Sequence, residues 1–235
     1  MSKRIGVKKN NSSLKRWLKI VSFLFVGILT IISLRGMYHI FNALNNLNHP
    51  IDAYLVLGGS ITREIYIAQI ATINPHIPII ISKGSDDPCI FFIFQREGAT
   101  LDNTWLETCA DSTFGNFFFS IPILKSWGVK KVEMITSDTH LPRAGIMAKI
   151  SLMAQGIAVD VNGIPEVDGI PGNHENDLKT TLDITRSFLW AWVGQLINPP
   201  CNKVIKLSEV NLNAWQKKGF SCESRGKIIG VGELR

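Results

Sequence analysis

No aspartate or glutamate occurs in the first 51 residues of this 235-residue chain, although eight of its 25 lysines and arginines do. From Asp52 onward the remaining 17 basic residues stand against 19 acidic ones, so the formal charge of +6 belongs to the N-terminal segment. The rest of the chain therefore lacks the basic surface on which a nucleic-acid-binding domain depends. We expect no nucleic-acid partner.

Cysteine is scarce, and the motifs that define common cofactor sites are missing. Four cysteines and 19 glycines exclude a disulfide scaffold and a collagen-like protein. A chain that is 46% hydrophobic and only 19% charged is also not mainly disordered. The zinc and calcium spacings, the P-loop, G-x-G-x-x-G and G-x-S-x-G are all absent. We predict no metal site and assign no cofactor.

One uncharged apolar run, residues 20–34, is the only segment long enough to approach a membrane span. It is shorter than the roughly 20 residues that a spanning helix needs. Trp17 and Tyr38 extend it to interfacial aromatic positions, and Lys19 can reach past the apolar region to water. We predict a basic leader over residues 1–16, a transmembrane anchor over residues 17–41 and a linker over residues 42–51.

The basic residues before this run predict the orientation of the anchor. Lysine and arginine favour the cytoplasmic side, so the N-terminus is expected in the cytoplasm and the main domain outside it. We therefore expect a single-pass protein of the bacterial plasma membrane. A cleaved signal peptide is the alternative, but no A-x-A-like cleavage site follows Leu34. A buried core helix is disfavoured because the run is apolar on all sides.

Beyond the linker, short apolar runs alternate with segments of helical periodicity. The runs at residues 53–57, 78–82, 103–107, 131–136 and 157–161 predict five strands. The segments at residues 62–73, 88–97, 113–127, 141–153 and 176–197 predict helices, and residues 164–172 predict a loop. This alternation predicts an α/β domain over residues 52–198, with a mostly parallel sheet covered on both faces.

Residues 199–235 are polar and poorly periodic, and we interpret them as a tail or small appendage. Cys201 and Cys222 both lie in this segment. In an oxidising compartment a disulfide between them would hold the tail together. We interpret Cys89 and Cys109 as half-buried core residues.

Polar residues follow the predicted strands at the point where each strand ends. Ligands of open α/β sheets bind beyond the carboxyl ends of the strands, so these residues are the site candidates. The ligand-binding candidates are Gly58, Gly59, Ser60, Arg63, Ser82, Gly84, Thr113, Asn116, Thr136, Ser137 and Arg143. The catalytic candidates are Glu107 and His140.

These residue types suit the binding of an anion, although each also has a purely structural alternative. Arg63 and Arg143 can hold a phosphate or carboxylate, the alternative for Arg63 being a solvated surface position. Backbone N–H groups after Gly58 can face an anion at a helix start, or belong to a tight turn. His140 can transfer a proton near neutral pH. Glu107 suits a general base, a metal ligand or an orienting group, or a salt bridge to either arginine.

Together these residues resemble the SanA/YdcF-like envelope proteins, also called domain of unknown function 218. The family pattern is a glycine-rich turn with a following arginine, then S-G-G, E-x-x-S-x-N-T-x-x-N and V-T-S-x-x-H-x-x-R-A. This chain matches it in order over residues 52–144. It departs at Lys83, Ala110 and Ser112, which replace the second residue of S-G-G and the Ser and Asn that follow the glutamate. These departures remove polar groups from the expected pocket.

The resemblance implies a Rossmann-like three-layer α/β/α domain of about five strands, tethered by one N-terminal helix. It also implies a role in envelope integrity, in peptidoglycan precursor or lipid-carrier metabolism, and in barrier function. No general reaction is established for the family, so the question of catalysis stays open.

We therefore expect a membrane-anchored envelope protein that binds a phosphate- or sugar-bearing precursor at the strand ends. One alternative is a non-catalytic sensor or scaffold of the envelope. Another is a nucleotide or S-adenosylmethionine site, which requires a cytosolic domain; one cytosolic-type member of the family is reported to bind S-adenosylmethionine.

Overall fold

A computed structural model describes residues 11–165, 177–197 and 199–223 of the chain. The helices are α1 (Asn11–Asn45), α2 (Ile61–Ile73), α3 (Asp87–Glu97), α4 (Thr113–Ser126), α5 (Leu141–Met153), α6 (Asp177–Val193) and α7 (Leu212–Lys218). The strands are β1 (Ala53–Leu57), β2 (Ile79–Ser82), β3 (Thr104–Glu107), β4 (Lys131–Ser137), β5 (Ala158–Ile164) and β6 (Val204–Lys206). A single 3-10 turn, Leu207–Glu209, follows β6.

The six strands form one sheet in the order β5-β4-β1-β2-β3-β6. The first five strands are parallel, and β6 pairs antiparallel with β3. The chain begins in the middle of the sheet, adds β2 and β3 on one side, and then crosses over to add β4 and β5 on the other. This confirms the predicted α/β class and its Rossmann-like, mostly parallel sheet. The direction of winding reverses between β1 and β4, which is the switch point where ligands of such sheets bind.

Helices cover both faces of the sheet because the central strands are apolar on both sides. All five residues of β1 are buried. Leu55 and Leu57 face a cluster built from α4 and α5, and Val56 faces a cluster built from α2 and α3. Each fully buried leucine or isoleucine side chain stabilises the fold by about 1.5–3 kcal/mol relative to an exposed one. The two clusters fix the sheet between the helical layers and so position the strand ends.

Helix α1 is the one helix in the described part of the chain that is long and apolar enough to cross a membrane. Its most apolar window has a mean hydropathy of 2.2, and none of that window is buried in the domain. Large side chains such as Phe23 and Leu24 are exposed along it. The end of α1 is different, since Ala43 is fully buried and α1 contacts both α5 and α6. The helix also includes residues 42–45, which the sequence assigned to the linker.

Helix α1 joins the domain at the amino edge of the sheet, the edge where the parallel strands begin. Lys131, at the start of β4, donates from Nζ to the carbonyl oxygen of Leu47 over 2.6 Å. Gly156, just before β5, lies against His39 of α1. The strands run away from this edge, so a five-residue strand carries its carboxyl end about 17 Å farther from α1. The candidate residues therefore lie on the edge of the sheet opposite the apolar helix.

The segment after residue 199, interpreted above as a tail, adds a strand and a helix to the domain. Strand β6 covers the edge of β3, with Glu107 in register with Val204. Leu207 is fully buried, and Trp215 of α7 packs against the cluster under α2 and α3. The sequence of this segment shows no periodicity because β6 and α7 are too short to produce a periodic hydrophobic pattern. The sheet therefore has six strands instead of about five.

The sequence left open whether Cys201 and Cys222 form a disulfide, and in the structure they do not. The structure pairs Cys109 with Cys201 and Cys89 with Cys222, so Cys89 and Cys109 are bridged and not free core residues. The reason is β6, which runs antiparallel to β3 and carries Cys201 to within 6.0 Å, Cα to Cα, of Cys109. The chain then returns along α3 and brings Cys222 within 5.6 Å of Cys89.

Element limits differ from the sequence prediction mainly around β5 and α6. Strand β5 continues to Ile164, because residues 162–164 pair in register with the end of β4. Helix α6 ends at Val193, four residues before the predicted end. Residues 166–172 of the predicted loop lie outside the described residues.

Candidate functional site

Arg63 connects the two strands on either side of the switch point. It lies in the first turn of α2 and is 3% exposed. Its Nη1 donates to the carbonyl oxygens of Leu57 and Gly58, each over 2.6 Å, and its Nη2 donates to Ser137 Oγ over 2.9 Å. The surface position considered for Arg63 is therefore excluded. One planar guanidinium fixes the spacing between the ends of β1 and β4.

The turn between β1 and α2 requires glycine at two successive positions. A Cβ on Gly58 would overlap the carbonyl oxygen of Lys83, so the loops after β1 and β2 are in direct contact. Gly59 is exposed with φ of 104°, in the left-handed region that other residues avoid. Ser60 is the N-cap of α2, but its side chain makes no capping hydrogen bond. The backbone N–H of Arg63 donates to the carbonyl oxygen of Ser60 over 3.2 Å, so the N–H groups of Ile61 and Thr62 are the ones at this helix start that suit a partner outside the helix.

The end of β4 supplies hydroxyl groups and the candidate histidine. Ser137 Oγ lies 3.3 Å from Thr139 Oγ1, and both Asp138 and Thr139 are exposed. His140 is half-buried at the N-cap position of α5. Thr136 is buried, and its hydroxyl finds no hydrogen-bond partner among the described residues. This loop follows β4 on one side of the switch point, and the turn after β1 lies on the other side.

Glu107, a catalytic candidate, is fully buried and bound on both carboxylate oxygens. Its Oε1 accepts hydrogen bonds from the backbone N–H groups of Cys109 and Ala110, and its Oε2 accepts one from Ser82 Oγ over 2.5 Å. Ser82 Oγ also lies 3.1 Å from Asn116 Oδ1. A hydroxyl has one hydrogen, so the geometry favours an interchanged Asn116 amide whose Nδ2 donates to Ser82. Glu107 thus holds the loop after β3 in place.

Arg143 forms a third group behind the crevice. It is 7% exposed, and its Nη2 donates to Thr113 Oγ1 over 2.9 Å. Its Nη1 lies 3.4 Å from Asp183 Oδ2. Arg143 therefore ties α5 to the start of α4 and to α6. Ser112, not Thr113, is the N-cap of α4, and its hydroxyl accepts a hydrogen bond from the backbone N–H of Gly115.

All the sequence candidates lie at the carboxyl edge of the sheet, but they form separate groups. Arg63 and Ser137 meet at the switch point, whereas Glu107, Ser82 and Asn116 form a network at the ends of β2 and β3. His140 follows β4 and Glu107 follows β3, with β1 and β2 between them. Three strand spacings amount to about 14 Å. The two catalytic candidates therefore do not face the same small group on a ligand.

Sequence reasoning missed Glu64, a buried carboxyl group beside the crevice. It is 0% exposed, and its Oε1 accepts a hydrogen bond from the backbone N–H of Ser85 over 2.6 Å. Burial raises the pKa of Glu64 to about 7, an effect that its hydrogen bonds to Ser85 and the nearby Arg63 only partly offset. The position of Glu64 in the sequence was a detectable signal, because the spacing of Ile61, Glu64 and Ala68 places all three on the apolar face of α2.

One group of potential metal-ligand atoms occurs in the described residues, formed by Glu107, Cys109 and Cys201. These atoms lie within 4.8 Å of one another. Both sulfur atoms belong to the same disulfide, and the thiolate form that binds metals is therefore not present. The donor set does not fit a metal ion while this disulfide is intact.

No family model, curated protein or solved structure matches this chain. The interpretation of the site therefore depends on its geometry. That geometry consists of the switch point between β1 and β4, a buried arginine that connects the ends of these two strands, and two supporting hydrogen-bonded groups.

Proposed function

We propose that this chain is a membrane-anchored envelope protein, of the SanA/YdcF-like kind, that binds a phosphate- or sugar-phosphate-bearing precursor between β1 and β4. The observation that carries the proposal is the position of Arg63, whose guanidinium joins Leu57 to Ser137 at the switch point of the sheet. In open α/β sheets this crevice is the usual position for a ligand.

The chemistry of the crevice favours an anion. The exposed Gly59 and the Ser60 hydroxyl stand at the N-terminus of α2, where backbone N–H groups and the helix dipole favour negative charge. Residues 52–198 carry 10 basic and 16 acidic residues, so the overall field does not attract anions. Capture must therefore depend on these local groups.

Two disulfides support a location outside the cytoplasm. Such bonds persist in oxidising compartments and are rare where thiols are kept reduced. The same side of the membrane is expected from the basic residues before α1. An extracytoplasmic domain also disfavours nucleotides and S-adenosylmethionine, which are cytosolic ligands.

The orientation of the sheet favours a ligand that reaches the domain from water. The crevice lies on the edge opposite α1, about 17 Å beyond the amino edge. The phosphate group of a molecule held at the bilayer surface therefore does not reach the crevice. A soluble precursor, or a lipid-linked one with a long sugar or peptide headgroup, does.

A non-catalytic sensor or scaffold is the second candidate, and the position of Glu107 favours it. This carboxylate is fully buried and lies three strands from His140. Of the two catalytic candidates, only His140 then remains beside the switch point, together with the buried carboxyl group of Glu64. Binding with turnover requires His140, whereas binding without turnover does not.

Titration of the full chain in lipid nanodiscs tests the binding site. The probes are N-acetylglucosamine 1-phosphate, inorganic phosphate and uncharged N-acetylglucosamine. We expect the two phosphates to bind and the neutral sugar to bind at least about tenfold more weakly. Gly59→Asp should abolish phosphate binding. Gly98→Asp is the matched control, because Gly98 also has positive φ and open space around it but lies at the end of α3.

A topology measurement tests the location independently. A C-terminal reporter fusion is combined with protease accessibility in spheroplasts. An exposed domain supports the proposal. A protected, cytoplasmic domain would overturn the proposed location and favour the nucleotide or S-adenosylmethionine alternative.

A further inference from the structure

An apolar cavity lies where α1 meets α5 and α6, far from the crevice. Its volume is about 540 Å³. Gly36 and Met37 of α1, Ile150 and Met153 of α5, and Ala191 and Trp192 of α6 form its walls. A cavity of this size lies within the range of about 300–1,000 Å³ that binds small molecules. Nothing in the proposed anion site uses it.

The cavity lies at the level where α1 leaves its long apolar run. Ser33, which also lines the cavity, belongs to the uncharged run of residues 20–34. Beside the cavity, α6 and the turn after it expose Leu189, Leu196 and Ile197, two of them more than 60%. If α1 spans a bilayer, these side chains stand at its surface. On the side of α6, the exposed apolar surface of α1 therefore continues into the walls of the cavity, with no polar side chain between them.

Cations surround this junction. Lys149 is exposed and lines the cavity itself. Arg35 stands next to Gly36 and is close enough to Lys125 to lower the pKa of that lysine, after a larger effect of burial. Positive charge beside an apolar cavity is suited to an amphiphile with an anionic headgroup.

Gln195 provides a second polar group, and this one is buried. It lines the cavity, is 8% exposed, and donates from Nε2 to the carbonyl oxygen of Ala191 over 3.2 Å. Its Oε1 accepts no hydrogen bond from the described residues. A buried amide oxygen without a donor is costly, and a ligand hydroxyl in the cavity would satisfy it.

We propose that this cavity holds one acyl chain of an anionic bilayer phospholipid. The chain lies between Met37, Ile150 and Ala191, the headgroup phosphate pairs with Lys149, and a headgroup hydroxyl donates to Gln195 Oε1. The proposal depends on the membrane anchoring proposed above but not on the anion site. It makes α1 a wall of a lipid-binding site as well as a tether.

Photocrosslinking tests the occupant. The full chain is reconstituted in phosphatidylethanolamine vesicles that contain phosphatidylglycerol with a diazirine in one acyl chain. We expect labelled peptides from residues 149–154 and 188–195. Ala191→Phe fills the cavity and should reduce this labelling at least about fivefold. Leu182→Phe is the matched control, because Leu182 is exposed on the same helix, does not line the cavity, and should leave labelling unchanged.

Folding is checked by mapping both disulfides in each variant, and Ala154→Phe replaces Ala191→Phe if the latter does not form them. Lys149→Glu should remove the preference for phosphatidylglycerol over phosphatidylcholine, and Lys149→Arg should keep it. Labelling confined to the exposed part of α1 would overturn the cavity proposal and leave the anchor intact. Absence of all labelling would overturn the anchor and the cavity together, while phosphate titration reports separately on the crevice.

Discussion

The Nη2 atom of Arg63 lies 2.9 Å from Ser137 Oγ, although the two residues are 74 positions apart in the chain. This hydrogen bond crosses the boundary between the two halves of the sheet, which are wound in opposite directions from β1. The same guanidinium holds the carbonyl oxygens at the end of β1. Arg63 therefore connects the ends of the two strands on either side of the switch point.

Arg63→Lys should destabilise the domain by about 2–4 kcal/mol. A lysine cannot reach the β1 carbonyls and Ser137 at once, so buried acceptors lose their donor. Urea unfolding of the full chain measures the change. Arg96→Lys, at a more exposed site on α3, should change the free energy of unfolding by less than about 0.5 kcal/mol. Equal stability of the two variants would contradict the bridging role of Arg63.

Glu107→Gln and His140→Ala should separate structure from ligand chemistry. Glu107→Gln replaces one carboxylate oxygen by an amide NH2 group, so Ser82 loses its acceptor and the two backbone N–H groups keep only a neutral one, which should cost about 1–3 kcal/mol of stability. His140→Ala should leave the melting temperature nearly unchanged and change the affinity for phosphate at the proposed site. Unfolding curves and phosphate titrations on the same samples measure both effects. Loss of binding in a fully stable Glu107→Gln variant would restore Glu107 to the ligand site.

Glu64→Gln should remove a pH dependence of stability between about pH 4.5 and 7. The folded pKa of about 7 exceeds the reference value of 4.5, so folding retains a proton that the unfolded chain releases. Stability is full below pH 4.5 and falls as pH rises to 7, by up to about 3 kcal/mol. Urea unfolding between pH 4 and 8 measures this slope. Glu209→Gln, at an exposed site, should keep the slope, and an unchanged slope in Glu64→Gln would refute the assignment.

Removing either disulfide should lower the stability substantially. The Cys109–Cys201 and Cys89–Cys222 bonds close loops of 92 and 133 residues. The chain-entropy relation gives about 4–5 kcal/mol for loops of this length. Paired Cys→Ser variants, measured by thermal unfolding, test this, and non-reducing peptide mapping tests the pairing. Recovery of a Cys201–Cys222 peptide would contradict the structure.

The parallel core could be predicted from the sequence because its signals are local. Strand β1 and helix α5 have the predicted limits, since a short apolar run and a capped helical pattern need no distant partner to be recognised. The polar residues at the strand ends were also predictable, because parallel strands bring all their carboxyl ends to one edge.

Features that depend on distant pairing could not be predicted in this way. Strand β6 has three residues, too few for a periodic signal, and it becomes a strand only because the edge of β3 is available. The pairing of the cysteines depends on β6, because this strand brings Cys201 next to Cys109. The separation of Glu107 from His140 needed the strand order, which no local pattern contains.

The two disulfides are nested, with the first cysteine joined to the fourth and the second to the third. In the export that the proposed extracytoplasmic location requires, Cys89 and Cys109 emerge early, and the native bonds form directly only when both stay unpaired until Cys201 and Cys222 arrive. Oxidation in order of appearance would instead join Cys89 to Cys109 and Cys201 to Cys222. The native bonds then form only after exchange of such a wrongly paired intermediate. Maturation of this domain should consequently depend on a disulfide isomerase, and not on an oxidant alone.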